Sequence, residues 1–311
     1  MNKLAREKLT FFAIGIALLI IIGFGITMES YFVGGATNMT SLAKVYISNS
    51  EPNITGLRIS PDPVDLVPGN TTQVNCTASV WEYNGYLDLN VTNATLYHQT
   101  ESQDSDADDN NYHYTNNSCT CVGGGSPYNA SCTCSFDVWY YAYNGSWTCN
   151  VTVGDGQFYS TKNKSVTVNP VIGVGVPDEI DYGNMSVSQT SNFIRANFSN
   201  WGNLPINISI RGFGGTDESV PGVGQYAMLC ELGNISMDYM KYSLNMSITF
   251  ANMTNLTNTR AGLPNIKLPV RTNDLQYGND TNATYWKLYI PWTRGGHCNG
   301  TVEFTGAETV I

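Results

Sequence analysis

The feature that most restricts how this chain can fold is one stretch, residues 136–153, in which two runs of alternating apolar side chains flank an Asn144-Gly145 pair. Phe136, Val138, Tyr140 and Ala142 recur at every second position before the pair, and Trp147, Cys149, Val151 and Val153 do so after it. Successive side chains of a strand point to opposite faces, so this spacing predicts two strands that each bury one face against another layer. Val74, Cys76, Ala78 and Val80 alternate in the same way farther upstream. Cys76 and Cys149 both fall on inward faces, and a disulfide between them would pin one sheet to the other.

Composition points the same way. With 311 residues the chain has length for two ordinary domains, each with its own core. Charged residues make up only 13%, and Asn, Thr, Ser, Gly and Tyr, residues of strands and turns, are abundant. The net charge of -10, with 15 Lys and Arg spread over the whole chain, argues against a nucleic-acid partner, because phosphates require clustered cations. About twenty Asn-X-Ser/Thr sequons occur, including Asn38, Asn53, Asn70, Asn90, Asn93, Asn129, Asn144, Asn163, Asn197, Asn207, Asn234, Asn252, Asn282 and Asn299. Their density implies a glycan-coated exterior, and the eight cysteines, an even number, imply an oxidising compartment.

Lys3, Arg6 and Lys8 precede a charge-free run from Leu9 to Thr27, and Glu29 follows it. At about 1.5 Å per residue, roughly twenty apolar residues cross a hydrocarbon core of about 30 Å. Residues 9–27 are therefore expected to form a transmembrane helix, with the basic tail of residues 1–8 inside and everything else outside. The alternative is a cleaved signal peptide, which the length of the run and the lack of a nearby small-x-small site disfavour. Residues 28–52 read as a polar stalk. A basic leader, a long apolar helix and a β-rich head also resemble prepilins, which implies a helix packed in a filament core. No Lys/Arg-Gly processing site precedes Phe11, however, and no early Glu interrupts the run.

The first domain is expected over residues 53–169. It opens on Leu57–Asn70, where three prolines confine pairing to a sheet edge, continues through the Cys76 strand, and turns at a Gly154-Asp155-Gly156 hairpin into a last strand that ends near Val168. The Pro/Gly-rich edge, the Cys76 strand and Asn144-Gly-Ser-Trp-Thr-Cys149, standing at the Tyr-x-Cys corner, resemble immunoglobulin-like domains. Trp147 stands where Tyr is usual. That resemblance implies that the chain crosses from one sheet to the other at Asn144-Gly145, whereas the dipeptide alone would favour a tight hairpin. The second domain is expected over residues 170–311. Ile180–Ser191 followed by Asn200-Trp-Gly-Asn-Leu-Pro-Ile-Asn-Ile-Ser209 is similar to a pattern of Hydin-like immunoglobulin-like modules, with Tyr182 for Phe and Ser188 for the second Gly. Cys230 and Cys298 are that domain's only cysteines and are paired on that ground.

Cys119-Thr-Cys121 and Cys132-Thr-Cys134 invite a reading as a four-cysteine zinc site. One antiparallel register also sets Cys119 opposite Cys134 and Cys121 opposite Cys132 around the intervening Gly-rich loop, which favours two neighbouring disulfides. Eight cysteines allow 105 connectivities, so pairing is left open. Asp104, Asp106 and Asp108 occupy positions one, three and five of a calcium-loop pattern, but Asp109 stands in place of the turn Gly and Thr115 in place of the final Glu. A solvated acidic loop is the competing reading. His98, His113 and His297 are the only histidines, no nucleophile elbow or zinc-protease helix is present, and no enzymatic activity is expected. His113 is read as an exposed loop residue rather than a metal ligand. The aromatic run Trp139–Tyr143 is read as core and sheet face rather than as a binding surface.

These readings converge on an all-β protein: two tandem immunoglobulin-like sandwiches behind one N-terminal transmembrane helix, similar in texture to sequon-rich cell-surface glycoproteins of archaea. Expected is a membrane-anchored structural or adhesive role at the cell surface, with self-association, envelope proteins or glycan as partners. No cofactor is expected unless the acidic loop binds calcium. The alternatives are a pilus-like filament subunit and a glycan- or calcium-binding module.

Overall fold

The computed structural model describes residues 40–272 and 279–309. The expected tail, the transmembrane segment Leu9–Thr27 and Asn38 lie outside the described residues, and among those described no helix is long and apolar enough to cross a membrane. Residues 40–48 carry no regular secondary structure. Asn49–Ile311 is one compact unit, and within its described residues secondary structure consists of strands and single 3-10 turns.

Eight strands build the first sandwich: β1 (Asn53–Ser60), β2 (Thr71–Trp81), β3 (Val91–His98), β4 (His113–Asn116), β5 (Thr120–Gly123), β6 (Asn129–Trp139), β7 (Gly145–Gly154) and β8 (Tyr159–Val168). They form two sheets, in the orders β1-β2-β6-β5 and β4-β3-β7-β8. This is the strand order of an immunoglobulin domain, with β2 and β7 in the places of strands B and F. The crossing falls where that resemblance put it, since β6 ends at Trp139 in one sheet and β7 starts at Gly145 in the other. The prolines after β1 let the chain leave one sheet edge for the other: Val64 pairs in parallel with Val168 at the outer edge of β8.

The alternation sets the core. Ala130, Cys132, Cys134, Phe136 and Val138 on β6 face Trp147, Cys149, Val151 and Val153 on β7, all buried.

Ten strands form the second sandwich: β9 (Val174–Gly175), β10 (Ile194–Asn200), β11 (Ile206–Gly214), β12 (Tyr226–Leu232), β13 (Ile235–Ser236), β14 (Met240–Ser243), β15 (Thr254–Asn255), β16 (Ala261–Leu268), β17 (Thr281–Leu288) and β18 (Gly295–Glu308). Its sheets run β15-β14-β17-β10-β9 and β13-β12-β18-β11-β16 around a separate core that includes Phe198, Ile206, Ile208, Ile210 and Trp286.

The two cores meet through side chains from the Asn200-Trp-Gly-Asn203 corner. Buried Asn203 donates through Nδ2 to the carbonyls of Ala142 and Asn169, both at 3.1 Å, and accepts from the Val171 amide at 2.7 Å. Asn200 Nδ2 donates to the Leu204 and Pro269 carbonyls. From the aromatic run, Tyr141 lies under the Arg271 guanidinium, whose central carbon is 5.6 Å from the Tyr141 ring centroid, and Asn111 Nδ2 donates to the Arg271 carbonyl at 2.8 Å.

Candidate functional site

Four disulfides join the eight cysteines, leaving no free thiol among the described residues. Cys76–Cys149 links the two sheets of the first sandwich. Cys119–Cys134 and Cys121–Cys132 bind the β5 edge to β6, and Cys230–Cys298 joins β12 to β18. Because Cys76 lies opposite Cys134 in the β2–β6 register, three of the bridges are side by side, and a row of cross-links runs from β7 through β2 and β6 to the β5 edge. Cysteines joined in this way have no thiolate to offer a metal.

Asp104, Asp106 and Asp108 each find a separate partner. Asp104 accepts from Thr95 and from Asn150 Nδ2, which lie on β3 and β7. Asp106 Oδ2 caps its own turn, accepting from the Gln103 amide at 2.7 Å and from Ser102 Oγ, and these bonds hold its carboxyl below the usual range. Asp108 faces His113 Nδ1 at 3.2 Å. The structure does not bring these three carboxylates to one point. His113 itself is only 1% exposed, a correction to its reading as a loop residue: its position on β4 places the ring under Tyr97. His98 is buried as well, and His297 is exposed.

A different set of carboxylates converges. One oxygen each from Glu82, Asp88 and Asp155 lies within 4.8 Å of the others. Glu82 directly follows β2, Asp88 ends a single 3-10 turn at Tyr86–Asp88, and Asp155 begins the β7–β8 turn. The Glu82 amide donates to Tyr128 O, and its Oε1 accepts from the Asn84 amide at 3.1 Å. Asp155 Oδ1 accepts from the amides of Gln157 and Phe158 at 2.7 and 2.8 Å, which fixes the turn and lowers its pKa. Gly156 has φ +89°, and a Cβ there would lie 2.8 Å from Asn90 Nδ2, so the turn excludes other side chains. Burial, and then the charges of Asp155 and Asp88, push the Glu82 carboxyl up. Sequence reasoning passed over these acids because they are single residues at three turns, 73 positions apart at the extremes; the Gly154-Asp-Gly156 turn was the only local signal.

Every Asn singled out as a sequon and lying among the described residues is at the surface. Asn53, Asn70, Asn90, Asn144, Asn163, Asn197, Asn207, Asn252, Asn282 and Asn299 are exposed, and Asn93, Asn129 and Asn234 are half-buried.

No protein-family model matches the chain, and no curated protein matches it either. Among solved structures it is similar to a complex of a chaperone and a tip adhesion subunit, CsuC-CsuE, from the archaic chaperone-usher Csu pili of Acinetobacter baumannii. The identity is 10% and the TM-score 0.36, over 81% of this chain and 100% of that one. A chaperone–tip adhesin complex of CFA/I fimbriae biogenesis is similar at 11% identity and TM-score 0.27, over 83% and 81%. The C-terminal domain of the Streptococcus agalactiae AgI/II polypeptide BspA follows at 8% and 0.20, over 80% and 91%. Likeness at that level carries no functional statement.

Proposed function

We propose that the protein is a structural or adhesive component of a cell surface, a disulfide-stapled pair of immunoglobulin-like sandwiches held outside the membrane by residues 9–27 and coated with glycan. The single observation that carries this reading is the combination of four disulfides with sequon asparagines that all lie at the surface. Disulfides of this number persist in oxidising compartments, and exposed sequon asparagines leave room for a sugar without disturbing a core. The reading assigns no catalytic step to the chain and places it, on sequence texture, with archaeal envelope glycoproteins.

Non-reducing peptide mass spectrometry of the protein from its native cells tests the proposal. Recovery in the membrane fraction with an N-terminus at or near Met1 and hexose-bearing peptides at Asn70, Asn163 or Asn197 is the expected result. Cleavage just before Phe11 in sheared material would replace the anchor with a filament core. Loss of everything before about residue 35 would overturn both.

A further inference from the structure

We propose that Glu82, Asp88 and Asp155 form a calcium site that clamps the two sheets of the first sandwich together at one end. Three features of the geometry carry it.

The first is the orphaned oxygens. Glu82 is 0% exposed and Asp155 6% exposed, yet the buried Glu82 Oε2 accepts no hydrogen bond, and the buried Asp155 Oδ2 has none of full bonding geometry, with the Asn49 side chain as a further donor near that carboxylate. A buried carboxylate oxygen without a donor loses its water and gains nothing in return. Here the other oxygens of the same two carboxylates are satisfied by backbone amides, which orient the side chains and leave the second oxygens for another partner.

The second is charge. None of the ion pairs among the described residues involves Glu82, Asp88 or Asp155. Three carboxylates with oxygens inside 4.8 Å, two of them buried, repel one another unless a proton or a cation lies between them, and near neutral pH a cation is the more effective of the two.

The third is the donor set. All three groups are carboxylates, with neither imidazole nor thiolate among them, which suits a hard cation rather than zinc or copper. The residues come from three separate turns rather than from one regular frame. Calcium, which accepts six to eight oxygens in flexible geometry, fits such a set better than magnesium, which demands an octahedron. Asp88 is exposed and leaves one side open for water ligands and for entry of the ion.

Glu82 follows a strand of one sheet, Asp155 a strand of the other, and Asp88 lies on the connection between them. An ion here would bridge the sheets as Cys76–Cys149 does in the middle. With so few charged ligands and an open side, an affinity of about 0.1–1 mM is expected, the range of extracellular calcium modules.

Full-length protein stripped with EGTA and then titrated with CaCl2 tests this by calorimetry and thermal unfolding. At about 10 mM CaCl2 the Tm is expected to rise by roughly 3–10 °C, and by less than half as much in equal MgCl2. Glu82→Gln keeps the shape and the Asn84 contact, so it should abolish the calcium-dependent rise without lowering the Tm in EGTA. Asp88→Asn, at an exposed position, should fold as before and bind calcium at least about tenfold more weakly. The triple variant Asp104→Asn, Asp106→Asn, Asp108→Asn should keep the full response. An unchanged Tm for the native protein in calcium, unchanged binding in Asp88→Asn, or loss of the response in the triple variant alone would each overturn the assignment.

Discussion

The indole Nε1 of Trp147 donates a 2.8 Å hydrogen bond to the carbonyl of Tyr143, four residues upstream. Trp147 stands two residues before Cys149, the place of the corner tyrosine in immunoglobulin domains, and its ring nitrogen does the work of that hydroxyl. The bond ties the start of β7 to the segment that has just crossed between sheets.

Trp147→Phe keeps an aromatic ring in the core but removes the donor and some volume. The Tyr143 carbonyl is then left without its partner, and a loss of about 2–3 kcal/mol in urea unfolding is expected. A variant within about 0.5 kcal/mol of the native protein would show that the corner bond is dispensable.

Asn203 holds three backbone groups of the junction at once: Ala142, Asn169 and Val171. Asn203→Ala leaves all three without that partner in a buried setting, at a cost of about 2–4 kcal/mol. Scanning calorimetry is expected to show one transition for the native protein and two for the variant, as the sandwiches lose their coupling. A single, merely lowered transition would mean that Tyr141 and Arg271 suffice to couple them.

The disulfides should differ in worth. Cys76–Cys149 spans 73 residues and Cys121–Cys132 only 11, which chain entropy converts to about 4 and about 3 kcal/mol. The shorter bridge is nested within Cys119–Cys134, so the outer bridge already closes most of its loop. Removing the Cys121–Cys132 pair by alanine substitution is expected to cost well under 3 kcal/mol, against 4 or more for the Cys76–Cys149 pair. Guanidinium midpoints in the reverse order would contradict this account.

Without divalent ions, Glu82 gives stability an unusual slope. Its carboxyl titrates near 4.5 unfolded and higher when folded, because of burial and then of Asp155 and Asp88. The unfolded chain therefore gives up this proton first, and stability falls as pH rises from about 4.5 through the folded value. Asp106, Asp155 and Asp217, held below 3.8 by hydrogen bonds, act oppositely: their contribution is present above 3.8 and lost as pH falls through their folded values. In EGTA, Glu82→Gln should flatten the decline above pH 4.5 while leaving the acid limb intact. An identical pH profile in the variant would refute the shift.

Local order could be read because side-chain alternation is a property of neighbours. The period-two runs at residues 74–80 and 147–153 mark β2 and β7 without reference to anything distant, whereas the run Phe136–Ala142 marks only the end of β6, which stops at Trp139 and leaves Tyr140 and Ala142 buried in the crossing segment. The Cys-Thr-Cys spacings carry one antiparallel register within a span of 16 residues. Gly212, Phe213 and Gly214 lie in β11 despite the turn-like composition of Gly212-Phe-Gly-Gly215, and glycine is required at 212 because a Cβ there would come within 2.8 Å of the Thr301 carbonyl of β18. Tertiary structure alone decided the rest. The burial of His113, the grip of Asn203 on the first sandwich and the meeting of Glu82 with Asp155 all depend on which turns share an end of the sandwich. That is a matter of sheet order, set by long-range pairing and packing, and no short window of sequence contains both partners.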